Sequence, residues 1–151
     1  MCAIAFMFGS MGHGSVAVKT SPSDISTADA WTGDVIPVSD VAIFGINSGM
    51  YTANNDVTLA SVRINQSSTF NLYDSGNHTI RTSKFYMGWQ NRIANLQGGI
   101  WDLSCRNSSD NSVSDGVFAA SIFTADFFNT IVELSKGCVV TNVSYVRIGH
   151  K

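Results

Sequence analysis

Short apolar or alternating runs recur along the chain with a period close to 2 rather than 3.6, and Gly, Asn, Asp and Ser separate them. They fall at 41–44, 50–52, 57–59, 62–64, 70–72, 79–80, 85–87, 93–96, 100–103, 117–123, 131–134, 139–140 and 146–148. Strands this short build either a sandwich or a solenoid, and the choice turns on whether they repeat. Taken in threes they give Val41/Met50/Val57, Val62/Phe70/Ile80, Phe85/Ile93/Trp101 and Phe118/Val132/Val139, with Val146 opening another group. The first members are 21, 23, 33 and 28 residues apart. One coil of three short strands and three turns needs roughly 20 to 25 residues. The long third step is accounted for by a polar insertion at 106–115, expected as a protruding loop.

The pattern therefore predicts an all-β chain, a right-handed parallel β-helix of about four to five rungs, with a β-sandwich as the alternative. Within a rung Val62 and Ile64 should point inward and Arg63 outward; one rung on, Phe85 and Met87 inward and Tyr86 outward. Each rung leaves an apolar edge until the next stacks on it. The segments Ser61-Val62-Arg63-Ile64-Asn65 and Tyr145-Val146-Arg147-Ile148-Gly149 are nearly the same strand written twice. The second opens a rung just before the last residue, so the chain reads as part of a longer solenoid.

Composition fits a stack. Charged residues make up 13% of the chain, against roughly 25% in an ordinary domain, while 20 Ser, 11 Thr and 12 Asn supply an uncharged polar surface. Like charges repeated one above another would repel, whereas hydroxyls and amides can hydrogen-bond along the stack. The net charge of −2 gives no basic field for a nucleic acid. Four N-x-[ST] sequences, at Asn65, Asn77, Asn107 and Asn142, match what this content of Asn, Ser and Thr produces by chance.

The apolar run 2–8 followed by Ser15-Val16-Ala17 has the layout of a truncated signal peptide over 1–18, although no Lys or Arg precedes it. The competing reading is a short first strand, and the run is too short to span a membrane. Residues 19–30 read as a polar linker and 31–151 as the rungs. Cys105 and Cys138 are candidates for a disulfide in an exported protein, or are separate small hydrophobes. No C-x-x-C spacing occurs, and His13, His78 and His150 are far apart, so no metal site and no cofactor are expected.

Trp31-Thr32-Gly33-Asp34, Asp40-Val41-Ala42-Ile43-Phe44, Asp56-Val57-Thr58-Leu59-Ala60-Ser61-Val62-Arg63-Ile64, Phe70-Asn71-Leu72 and Gly76-Asn77-His78-Thr79-Ile80 form a familiar succession. With Gly98-Gly99-Ile100-Trp101-Asp102-Leu103 and the stretch 132–142, it resembles the N-terminal part of bacterial autotransporter-type passengers and related secreted β-helical proteins. The resemblance implies export to the bacterial outer membrane or the extracellular space and brings no catalytic residue. The two downstream cysteines depart from it.

Outward positions are where chemistry can reach a ligand. Polysaccharide-cleaving β-helix enzymes gather carboxylates and cations on adjacent rungs. The best such group is Asp102, Arg81 and His78, whose competing reading is a surface ion pair between rungs. Tyr73, Tyr86, Trp89, Gln90 and Asn91 could instead stack on and hydrogen-bond to sugars, or cover a rung corner. The favoured expectation is a non-enzymatic surface or adhesin-like solenoid contacting a polysaccharide or host surface, and associating through its exposed end rungs. The alternatives are a polysaccharide lyase or glycoside hydrolase on the same scaffold, and a carbohydrate-binding sandwich.

Overall fold

The computed structural model describes residues 14–46, 49–64, 69–87, 92–105, 116–120 and 130–148. Fifteen strands carry the described fold: β1 (Ser15–Ala17), β2 (Ser23–Asp24), β3 (Val41–Phe44), β4 (Gly49–Thr52), β5 (Val57–Thr58), β6 (Ser61–Ile64), β7 (Thr69–Tyr73), β8 (Thr79–Arg81), β9 (Phe85–Met87), β10 (Arg92–Gln97), β11 (Ile100–Asp102), β12 (Val117–Ala120), β13 (Thr130–Ser135), β14 (Val139–Thr141) and β15 (Tyr145–Ile148). Helix among the described residues is limited to one 3-10 turn, Ala28–Ala30, and no helix there is long and apolar enough to cross a membrane.

The strands form three parallel sheets, in the orders β1-β3-β6-β9-β12-β15, β2-β4-β7-β10-β13 and β5-β8-β11-β14. From β3 onward every third strand is thus a neighbour, which is a coil stacked on the coil before it. Among the described residues the single antiparallel pairing is an isolated bridge between Val18 and Trp31, so the sandwich alternative is not the fold. The molecule is a parallel β-solenoid of about three turns, slightly fewer than the four to five rungs expected. All thirteen sequence runs overlap strands of the stack, while the insertion at 106–115 lies outside the described residues.

Register places like positions of successive coils in columns. Ala42, Val62, Phe85, Phe118 and Val146 form one inner column of the first sheet. Tyr51, Leu72, Leu96 and Leu134 form one in the second sheet, and Val57, Ile80, Trp101 and Val140 one in the third. The expected inward residues Val62, Ile64, Phe85 and Met87 are all fully buried. An aromatic chain links the coils: Trp31 to Phe44 (5.4 Å between ring centres), Phe44 to Phe70 (4.8 Å), Phe70 to Phe85 (6.4 Å), and Phe85 to Trp101 (5.1 Å) and Phe118 (5.0 Å). Edge-on and stacked contacts at such spacing add to the area term.

The two ends differ. Residues 18–31 fold over the first coil, burying Val18, Ile25 and Trp31, with the Trp31 indole donating to the Ile25 carbonyl at 3.1 Å. The stretch read as a cleavage region and linker therefore holds β1, β2 and the 3-10 turn. The run 2–8 lies outside the described residues. At the other end Leu134 and Val146 are 49% and 56% exposed, although their column neighbours Leu96 and Phe118 are 0% and 8% exposed.

Candidate functional site

Outward side chains of a parallel stack form columns as regular as the inner ones, and two faces bring chemistry-bearing residues together. On the third sheet the outer column is Thr58, Arg81, Asp102, Thr141. Arg81 Nε lies 3.4 Å from Asp102 Oδ2. Asp102 Oδ1 also accepts from Asn142 Nδ2 (2.7 Å) and the Ser104 amide (3.0 Å). Burial raises the Asp102 carboxyl, but the hydrogen bonds from Asn142 and Ser104 and the Arg81 charge outweigh it, leaving the group below the usual carboxylate range. Asp102 is therefore an ionised partner already engaged on both oxygens.

His78 does not complete this pair. It precedes β8, whereas Arg81 ends it, and its Nδ1 lies 3.1 Å from Asp74 Oδ1 and 3.2 Å from the Ala53 carbonyl. Of the three residues grouped from sequence, Arg81 and Asp102 thus meet across β8 and β11, while His78 stands beyond the opposite end of β8. No disulfide joins Cys105 and Cys138. Cys138 precedes β14, whose Val139 pairs with Ile100 at the start of β11, and Cys105 follows the turn after β11. Burial, and secondarily the Asp74 charge, push the Cys138 thiol up to about 11. Among the described residues no group of three or more His, Cys, Asp or Glu is disposed to hold a metal.

The second face is the outside of the second sheet. Its columns are Met50, Asn71, Asn95, Glu133 and Asp24, Thr52, Tyr73, Gln97, Ser135. Met50, Thr52, Asn71, Tyr73 and Gln97 line a groove of about 330 Å³, with Pro22 at one end, Lys136 at the other and Tyr51 beneath. Tyr73 is 44% exposed, and Lys136 Nζ stands 4.7 Å from the centre of its ring. Asn95 donates to Asn71 at 2.7 Å, and Asn71 donates to the Gly49 carbonyl at 3.2 Å, an amide ladder that holds the groove wall in register. Beneath it the Tyr51 hydroxyl is buried without a partner, and burial pushes its pKa up to about 12.

Of the five residues expected to contact sugars, Tyr73 lies in this groove. Tyr86 does not serve: it is wholly buried, with the Arg63 guanidinium over its ring at 5.1 Å and Arg63 Nε donating to its hydroxyl. Alternation sets Tyr86 outward as expected, but the neighbouring coil's arginine covers it. Trp89, Gln90 and Asn91 lie outside the described residues. The groove residues missed from sequence are Pro22, Met50, Thr52, Asn71, Gln97 and Lys136. Aligning the coils on their inner columns would have found the four strand positions among them, since all four sit at outward phases. Compared with protein-family models, with curated proteins and with solved structures, the chain matches none.

Proposed function

We propose that the chain is a non-enzymatic, exported surface protein of the autotransporter-passenger kind, a rigid solenoid whose second sheet contacts a glycan of a host or matrix surface. The observation that carries this reading is the groove: an exposed tyrosine ring flanked by Thr52, Asn71 and Gln97. A sugar offers an apolar ring face and a rim of hydroxyls, and a pocket with an aromatic face and a few fixed amides and hydroxyls complements both. The parallel ladders hold these side chains on a rigid frame, so little conformational freedom is lost on binding. The uncovered inner columns at Leu134 and Val146 support association of the molecule through that end.

Binding is favoured over cleavage by the state of the carboxylates. Acid/base cleavage of a glycosidic bond needs two groups facing one substrate, and Asp102 is instead tied to Arg81, Asn142 and Ser104, with His78 turned to Asp74. The test is affinity electrophoresis of the full chain through gels containing neutral or acidic polysaccharides. Retardation by at least one, weakened about tenfold or more in Tyr73→Ala, is expected. Unretarded migration in every gel, or retention unchanged by Tyr73→Ala, would refute the reading.

A further inference from the structure

Lys136 sets the groove apart from a neutral sugar site. It follows Ser135, the last member of the column Thr52, Tyr73, Gln97, Ser135, and takes a left-handed backbone conformation (φ 51°) before Gly137. Its ammonium comes back across Gln97 to stand over the Tyr73 ring. Among the described residues no carboxylate lies within ion-pair distance of it. Glu133 stands in the neighbouring column and does not line the groove. Asp24, at the far end, is held by the Ser26 amide (3.0 Å) and hydroxyl (2.6 Å) and by the Asn54 amide (3.3 Å).

The groove draws its residues from four successive layers of the second sheet. With strands about 4.8 Å apart, Thr52 to Gln97 spans roughly 10 Å along the stack, and the Lys136 ammonium lies within that span, over Tyr73. A ligand meeting Thr52, Tyr73, Gln97 and Lys136 together must be extended and must run along the solenoid axis. We infer that the groove takes a linear, carboxylate-bearing polysaccharide, one sugar packing on Tyr73 and a uronate carboxylate bonding to Lys136. A carboxylate there gives the ammonium the counter-charge its surroundings lack. This rests on the glycan-binding reading above and adds the class of sugar and the direction of the chain.

Oligogalacturonate and its fully methyl-esterified form share a backbone and differ in charge, so calorimetric titration of the full chain with each isolates the carboxylate. The free acid should bind about two- to fivefold more tightly than the ester, in line with one solvent-exposed ion pair. Lys136→Gln should remove that difference, and salt should weaken binding of the free acid alone. Equal binding of acid and ester by the unaltered protein would overturn the inference and leave the glycan reading standing. Binding of oligoglutamate as tightly as oligogalacturonate would overturn the sugar assignment in favour of any anionic chain. Absence of binding by either oligosaccharide would overturn the inference, and the neutral gels then decide whether the glycan reading falls with it.

Discussion

Tyr51 and Tyr73 sit one coil apart in the same sheet and point opposite ways. Tyr51 pairs with Leu72 in an inner column, while Tyr73 pairs with Thr52 outside. Buried, Tyr51 stacks on Phe70 at 5.3 Å but leaves its hydroxyl without a partner, and such a group carries a desolvation penalty. Tyr51→Phe should therefore raise stability by up to about 1 kcal/mol in urea unfolding at neutral pH. It should also flatten the alkaline limb. With the folded pKa near 12 against 10 for the free side chain, the unfolded chain releases its proton first, so stability falls as pH rises from 10 to 12. A steeper fall in the variant would contradict this assignment. The phase of this strand was not legible in the sequence. Met50 and Val139 represent their runs there, yet both are exposed, and Tyr51 and Val140 occupy the inner columns. In an apolar run of two or three residues hydrophobicity alone does not set the phase. The burial of Tyr86 was illegible for a different reason, since its cover, Arg63, comes from the preceding coil.

At the scale of the element, the strands were readable because turn residues bracket each apolar run. β1 and β2 were not: Ser15-Val16-Ala17 also fits the small-x-small layout of a cleavage site, and a two-residue strand among Ser and Thr has no pattern. Both exist because pairing to β3 and β4 supplies the hydrogen bonds. Asn accepts left-handed backbone more readily than most residues, and Asn77 and Asn142 each stand at corners with φ 55°. The corner between β10 and β11 is tighter. Gly98 has φ 75°, and a Cβ there would stand 2.2 Å from the Asp74 carbonyl of the coil before. Gly98→Ala should therefore cost about 2 kcal/mol or more, from left-handed strain and displaced backbone together. Chemical denaturation is the measurement, and a loss below about 0.5 kcal/mol, the range of an ordinary surface change, would show that the coils are not so closely apposed.

For the whole molecule, the repeat spacing made the stack legible, while the groove was not, because it is a property of register. Thr52, Asn71, Tyr73, Gln97 and Lys136 are scattered through the sequence and become neighbours only when coils stack in parallel with the columns observed. The pair Arg81 and Asp102 could be read in advance because adjacent coils had been aligned at that point. Stacking and binding can therefore be tested together by backbone-amide NMR of the full chain titrated with oligogalacturonate. Expected are saturable shifts concentrated at Thr52, Asn71, Tyr73, Gln97 and Lys136, with little change at Thr58, Arg81, Asp102 and Thr141 on the third sheet. Shifts centred on Arg81 and Asp102, or spread over both faces with no common column, would contradict a parallel solenoid that binds along its second sheet.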